Sequence, residues 1–115
     1  QRVDLFWVWI AALVVVIAVL EEFVFRAVAL GSLWHEWGLP LAVAAGIVVV
    51  SFGFAHWYYG FRQVVVKLLV GSVLTWTALT GGWVAAALAH AMGNVVLAVI
   101  SSKRSESPGV MAVAE

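Results

Sequence analysis

The sequence has no cysteine among its 115 residues. This absence excludes disulfide bonds, thiolate metal sites and a cysteine nucleophile, and it leaves the redox compartment undetermined. Charge is also scarce, because Asp, Glu, Lys and Arg make up 10% of the chain, against about a quarter of a soluble domain. The formal net charge is zero, so the composition does not favour nucleic acid or an acidic partner.

What the chain has instead is apolar surface. Hydrophobic residues make up 65% of it, and the mean hydropathy is +1.10. This composition predicts an all-α, polytopic membrane helix bundle in a single domain. We expect residues 1–102 to form the bundle and residues 103–115 to form a polar, disordered C-terminal tail. Because the sequence begins at Gln1, we also expect it to be a segment of a longer protein. Four spanning helices are predicted, over residues 5–34, 39–58, 62–79 and 83–101.

The basic residues predict the orientation of these helices. Five of them fall on the side of the N-terminus, the second loop and the C-terminus, and the sixth, Arg26, lies inside the first apolar segment. The positive-inside rule therefore predicts that both termini are cytoplasmic. We expect the long side chain of Lys67, within the third segment, to extend toward this surface. The five residues are Arg2, Arg62, Lys67, Lys103 and Arg104.

The first apolar segment carries Glu21, Glu22 and Arg26 deep inside it. Each ionisable group costs about 2.5–3.5 kcal/mol at the bilayer centre on insertion scales, so such groups indicate function by default. Glu22 and Arg26 are four residues apart, so they share a helix face and can neutralise each other. Glu21 lies about 100° round the helix and has no partner within it. The plainer interpretation is a charged cluster that only locks helices together.

Two other segments also bring polar side chains into the membrane. His56 follows Phe52 by one helical turn, and Asn94 follows His90 by one turn. A single membrane histidine is more often a packed, hydrogen-bonded residue than a catalyst. Two histidines, an amide and an unpaired carboxylate can satisfy one another only if they converge. We therefore expect one polar cavity that opens toward the cytoplasm.

Such a cavity would hold the groups that hydrolysis needs. Low-dielectric surroundings disfavour the charged form of a carboxyl group, which makes a carboxylate there a competent base for water. Histidine and asparagine side chains can donate hydrogen bonds to a developing oxyanion. Alternatively, Glu21, His56 and His90 would hold a divalent metal such as zinc, which lowers the pKa of a bound water.

Two common hydrolase motifs are missing from the sequence. His35 and Glu36 begin like the zinc-binding H-E-x-x-H motif, but residue 39 is leucine. Ser51, Ser72 and Ser101 lack the G-x-S-x-G context of a serine hydrolase. Neither a soluble-type metalloprotease nor a serine hydrolase is expected.

Three motifs in the membrane segments match, in order, those of a known family. They are E-E-x-x-x-R from Glu21 to Arg26, F-x-x-x-H from Phe52 to His56, and H-x-x-x-N from His90 to Asn94. In these residues the chain resembles the CPBP family, which comprises CAAX prenyl proteases and bacteriocin-processing enzymes and is also called the Abi family. The sequence departs from the family pattern in having Ala27 where many members have glycine, and in having fewer spans.

The resemblance implies an intramembrane endopeptidase, in a prokaryotic cell membrane, that acts on a peptide or a prenylated protein. Glu21 would activate the water with help from His56. His90 and Asn94 would stabilise the oxyanion, and Glu22 with Arg26 would brace the site. We expect no required cofactor, because an asparagine and no third clear ligand favour an oxyanion site over a metal site. A divalent metal such as zinc is the alternative.

Two functions of other classes remain open at this point. One is a non-catalytic membrane immunity or maturation partner, which would still work with Glu21 neutralised. The other is a proton-coupled transporter fragment, since glutamate and histidine chains also relay protons. Four spans make a small path, however, and no repeated pair of glycine- or proline-broken helices is present. Proton uptake into vesicles would distinguish a transporter from a protease.

Overall fold

The computed structural model describes residues 5–105, which form four helices and, within that range, no strand. Three of these helices are long and apolar enough to cross a membrane, namely Leu5–Glu36, Phe61–Gly81 and Trp83–Arg104. The predicted all-α membrane bundle is confirmed, and the protein is an integral membrane protein. The helices are α1 (Leu5–Glu36), α2 (Leu41–Phe54), α3 (Phe61–Gly81) and α4 (Trp83–Ser105).

Helix α2 corrects the prediction of a fourth full span over residues 39–58. It has 14 residues, or ~21 Å at 1.5 Å per residue, which is shorter than the ~30 Å hydrocarbon core. After Phe54 the backbone turns away, and the NH of His56 bonds to the carbonyl of Gly53. The freed carbonyl of Phe52 accepts a hydrogen bond from Nδ1 of His56 instead, at 2.8 Å. This side-chain cap accompanies the early end of the helix.

Helix α1 is not uniform along its length. Leu5–Glu22 is α-helical, whereas Phe23–Ala29 and Ser32–Glu36 are π-helical. π-helical turns are rare and are found frequently at functional sites. The first one begins directly after the two glutamates, so the change in helix geometry lies within the predicted site.

The turns and the remaining helix ends agree closely with the sequence. A turn at residues 80–82 is predicted, and Gly82 there has φ of +90°, which a residue with a side chain adopts only under strain. Helices α3 and α4 extend one to four residues beyond the predicted ends of 62–79 and 83–101. Lys103 and Arg104 are therefore helical, although the tail was predicted to begin there. Residues 106–115 of that tail, and Arg2, lie outside the described residues.

Packing brings α4 against α1, α2 against α3, and α3 against α4. Small side chains allow the close approach of α1 to α4, because Ala18, Ala86 and Ala87 are all buried. The ring of Phe23 contacts the ring of Trp83, with centroids 5.5 Å apart. Helix α4 therefore begins beside the middle of α1, near Phe23. Glu22 lies beside His90, which comes two turns after the start of α4.

Candidate active site

The centre of the site is an ion pair between Glu22 and Arg26. Oε1 of Glu22 lies 3.3 Å from Nη1 of Arg26, and both side chains are fully buried. The pair has the four-residue spacing predicted from the sequence. Because it is shielded from lipid and water, each charge depends on the other for compensation.

Arg26 also ties three helices together. Its Nη2 donates to the carbonyl oxygen of Gly71 on α3, at 3.0 Å. Its Cζ lies 4.4 Å from the ring centroid of Phe52 on α2, within cation–π range. A Cβ at position 71 would lie 2.8 Å from Cδ1 of Phe52 and 3.4 Å from Nη2 of Arg26. Glycine at this position is therefore what lets the guanidinium reach the backbone of α3.

His90, on α4, lies between the two glutamates. Its Nδ1 is 2.8 Å from Oε1 of Glu22, and its Nε2 is 3.8 Å from Oε2 of Glu21. The carboxylate of Glu22 that pairs with Arg26 only accepts hydrogen bonds. Nδ1 of His90 therefore carries the proton and donates it to Glu22. In the neutral ring, Nε2 is then left as an acceptor facing Glu21.

Glu21 differs from Glu22 in its surroundings. Its side chain is 28% exposed, whereas that of Glu22 is fully buried. Among residues 5–105, Glu21 forms no direct hydrogen bond, and Nε2 of His90 approaches its Oε2 to 3.8 Å. A separation of 3.8 Å is too long for a direct hydrogen bond, but one water molecule can contact both atoms. Glu21 is thus the accessible carboxylate of the pair.

Asn94 lies one turn beyond His90 on α4 and is half-buried. Both residues line a groove of about 610 Å³ between α3 and α4. In the described part of the chain, the Asn94 amide has no hydrogen-bond partner, so its NH₂ group is available to a ligand in the groove. His90 therefore faces both glutamates and also lines this groove with Asn94.

His56 lies apart from this cluster. It lines a second cavity, of about 480 Å³, together with Tyr59, Gln63 and Lys67. Within residues 5–105 it makes no hydrogen bond or ion pair with either glutamate or with His90. The buried ring of Phe52 has its centroid 5.0 Å from that of His56 and 6.1 Å from that of His90. The single cavity expected from the sequence stays a prediction, because His56 and His90 line neighbouring cavities that share Gln63 and Lys67 in their lining.

The three motifs lie within the match to a known protein family. The family model described as type II CAAX prenyl endopeptidase, Rce1-like, matches residues 3–96. That range contains all six residues predicted to form the site. The chain belongs to this family. No curated protein and no solved structure matches it in the corresponding searches.

Membership in the Rce1-like family confirms the resemblance found in the three motifs. It implies a peptidase, and hence a peptide or protein substrate, for this integral membrane protein.

The zinc alternative does not fit this Rce1-like site as it is arranged. Within the described residues, no three His, Asp or Glu side chains lie close enough together to hold a metal ion. Of the three ligands proposed from the sequence, Glu21 and His90 approach each other, and His56 lies in the other cavity. That the reaction requires no metal stays a prediction.

The sequence did not reveal every residue of the Rce1-like site. Gly71, on α3, supplies the backbone carbonyl that accepts a hydrogen bond from Arg26. Gln63 and Lys67 line both cavities. A signal for this was present, because Gln63, Lys67, Val70 and Leu74 recur at helical spacing and so share one face of α3.

Proposed function

We propose that the protein is an intramembrane endopeptidase of the glutamate type that cleaves a peptide bond in a CAAX-type, prenylated peptide or protein. The observation that carries this proposal is the position of His90 between two unlike carboxylates. Glu22 is buried and neutralised by Arg26, whereas Glu21 is partly exposed and has only the Nε2 edge of His90 beside it. Family membership supplies the class of reaction.

In the proposed reaction, the attacking water lies between Oε2 of Glu21 and Nε2 of His90. Glu21 removes a proton from this water while the oxygen of the water bonds to the carbonyl carbon of the scissile peptide bond. The carbonyl oxygen becomes an oxyanion. The oxyanion then re-forms the C=O bond as the C–N bond breaks, and Glu21 returns the proton to the leaving nitrogen. The products are a carboxylic acid and an amine, and the acid proton passes to the amine to give a carboxylate and an ammonium.

Asn94 is the residue that we assign to the oxyanion. Its amide is half-buried, lines the groove and has no competing partner among residues 5–105. A fixed donor of this kind, held in a water-poor site, favours the transition state over the ground state. The side chain lies one turn from His90, so the oxyanion and the attacking water would be held by the same helix.

His90 receives a different role from the one that the resemblance implies. With its Nδ1 proton donated to Glu22, the neutral ring has no donor left at Nε2. It can accept a hydrogen bond from the attacking water and so orient it toward the substrate. Glu22 and Arg26 act through His90, because they fix its tautomer and ring position.

Among residues 5–105, His56 makes no hydrogen bond or ion pair with Glu21, so we do not give it the assisting role at Glu21 that the resemblance implies. Its Nδ1 proton goes to the carbonyl of Phe52, so the neutral ring presents Nε2 as an acceptor in the second cavity. We assign it to binding a backbone NH of a substrate that extends across both cavities.

The test uses purified full-length protein in nanodiscs and an S-farnesylated peptide ending in a Cys-aliphatic-aliphatic-Met sequence. Glu21→Gln should abolish cleavage, and Glu36→Gln, at the exposed end of α1, should leave it unchanged. Metal chelators should not reduce the rate. Full activity of Glu21→Gln would contradict the proposal and favour a non-catalytic or transport function.

A further inference from the structure

Lys67 occupies an unusual position in the fold. It is half-buried on α3 and lines both cavities, so it lies where the region of His56 meets the region of His90 and Asn94. Among the described residues it has neither a carboxylate partner nor a hydrogen-bond partner. An ammonium in such a place lacks the compensation that partly buried charges usually have.

The groove that holds this charge is otherwise apolar. Apart from Gln63, His90 and Asn94, its lining is made of aliphatic side chains and small residues, and Lys67 is the one lysine or arginine among the described residues that line it. Neither Glu21 nor Glu22 lines this groove. The groove therefore complements a ligand that has an apolar body and one negative group.

Helix geometry gives the separation of Lys67 and His90 along the axis of the α3–α4 hairpin. Lys67 and Leu97 lie equally far along the chain from the turn at Gly82, so they are at the same level of the α3–α4 hairpin. Leu97 comes two helical turns, ~10 Å, after His90. An extended peptide covers about 3.3–3.6 Å per residue. A peptide carbonyl at His90 and a negative group at Lys67 would thus be about three residues apart.

We infer that Lys67 is a specificity-determining residue that binds the C-terminal carboxylate of the substrate in the α3–α4 groove. This inference rests on the proposed function. It adds that the site recognises the C-terminal end of the substrate. The amide of Gln63, one turn earlier on α3 and lining the same cavities, donates to the same carboxylate. A peptide that continues past this point would leave the ammonium without its partner.

The experiment compares two versions of the farnesylated peptide described above, one with a free C-terminal carboxylate and one with a C-terminal carboxamide. Wild-type protein in neutral phosphatidylcholine nanodiscs should favour the acid by about tenfold or more in kcat/KM, as expected for a hydrogen bond between charged groups. Most of this preference should lie in KM. Lys67→Gln should bring the ratio close to one, and Lys67→Arg should keep it above one.

Arg62→Gln is the matched control, because Arg62 is exposed near the start of the same helix and lines neither cavity. It should keep the full preference for the acid. An unchanged preference in Lys67→Gln would overturn the inference. So would a loss in Lys67→Gln that affects acid and amide equally and occurs only with anionic lipid, because lipid phosphate would then be the bound anion.

Equilibrium binding separates this inference from the proposed function. Both peptides are titrated onto Glu21→Gln protein, with and without Lys67→Gln. A preference for the acid that disappears with Lys67→Gln supports the carboxylate site even if wild-type protein cleaves neither peptide. Equal binding of acid and amide by the Glu21→Gln protein contradicts it, whatever the cleavage assay shows.

Discussion

Glu22 and His90 are 68 residues apart in the chain, and Oε1 of Glu22 lies 2.8 Å from Nδ1 of His90. This contact joins the first helix to the last and fixes which nitrogen of the imidazole carries the proton. It also gives the two neighbouring glutamates different tasks. Glu22 contacts both Arg26 and His90, and in the proposed reaction Glu21 is the carboxylate that acts on water.

The first prediction concerns the stability of the Glu22–Arg26 pair. Glu22→Gln would leave the guanidinium of Arg26 buried without its carboxylate, which costs about 3–5 kcal/mol in soluble interiors. We expect a clear loss of thermal stability in detergent or nanodiscs. Glu21→Gln, which breaks no direct hydrogen bond among the described residues, should unfold within a few degrees of wild type. Equal melting temperatures for Glu22→Gln and wild type would mean that the pair is not needed for folding.

Gly71 provides a second test, independent of charge. In Gly71→Ala the new Cβ would lie 2.8 Å from the fully buried ring of Phe52 and would crowd Nη2 of Arg26. Overpacking of this kind costs typically about 1–3 kcal/mol, so the melting temperature should fall. Gly46→Ala is the control, since a Cβ there meets nothing within 4 Å. If both alanine variants melt alike, the close approach at Gly71 is not what holds Arg26.

The local part of the site could be predicted from the sequence, and the tertiary part could not. A spacing of four residues was enough to predict the Glu22–Arg26 pair, because both residues lie on one helix. The hydrogen bond from His90 to Glu22 depends instead on how closely α1 and α4 approach, which buried Ala18 and Ala86 decide. Single-helix geometry therefore identified the neutralised carboxylate and missed its second partner.

The helix ends likewise include one that the local sequence predicts and one that it does not. The α3–α4 turn was predictable because two consecutive glycines mark it and Gly82 takes a positive φ. The early end of α2 was not, because it is accompanied by the side chain of His56 binding the Phe52 carbonyl in place of a backbone NH. No pattern in the sequence predicts the π-helical turns after Glu22.

The role of Asn94 gives a third prediction. Asn94→Leu removes the proposed oxyanion donor and should lower kcat by about 10²–10³-fold, the usual cost of one such donor. KM should change little, since the interaction forms in the transition state. Met92→Leu, at an exposed position on the same helix, is the control and should behave as wild type. A change in KM alone would assign Asn94 to substrate binding instead.

Orientation in the membrane is the fourth prediction, and it rests on the one-sided distribution of lysine and arginine. A reporter fused after Arg104 should be cytoplasmic, and one inserted at Gly38, in the loop between α1 and α2, should be external. Lys67 would then lie toward the cytoplasmic side of the groove. The opposite reporter pattern would show that residues outside this basic set determine the orientation.

The most direct test of the division of labour between the two glutamates is single-turnover cleavage of the farnesylated peptide by folded Glu21→Gln and Glu22→Gln proteins. Both are purified in nanodiscs and adjusted to equal folded concentration by their unfolding curves. We expect no cleavage by Glu21→Gln and measurable, reduced cleavage by the surviving folded fraction of Glu22→Gln. Cleavage by Glu21→Gln together with none by a stable Glu22→Gln would mean that the base is Glu22.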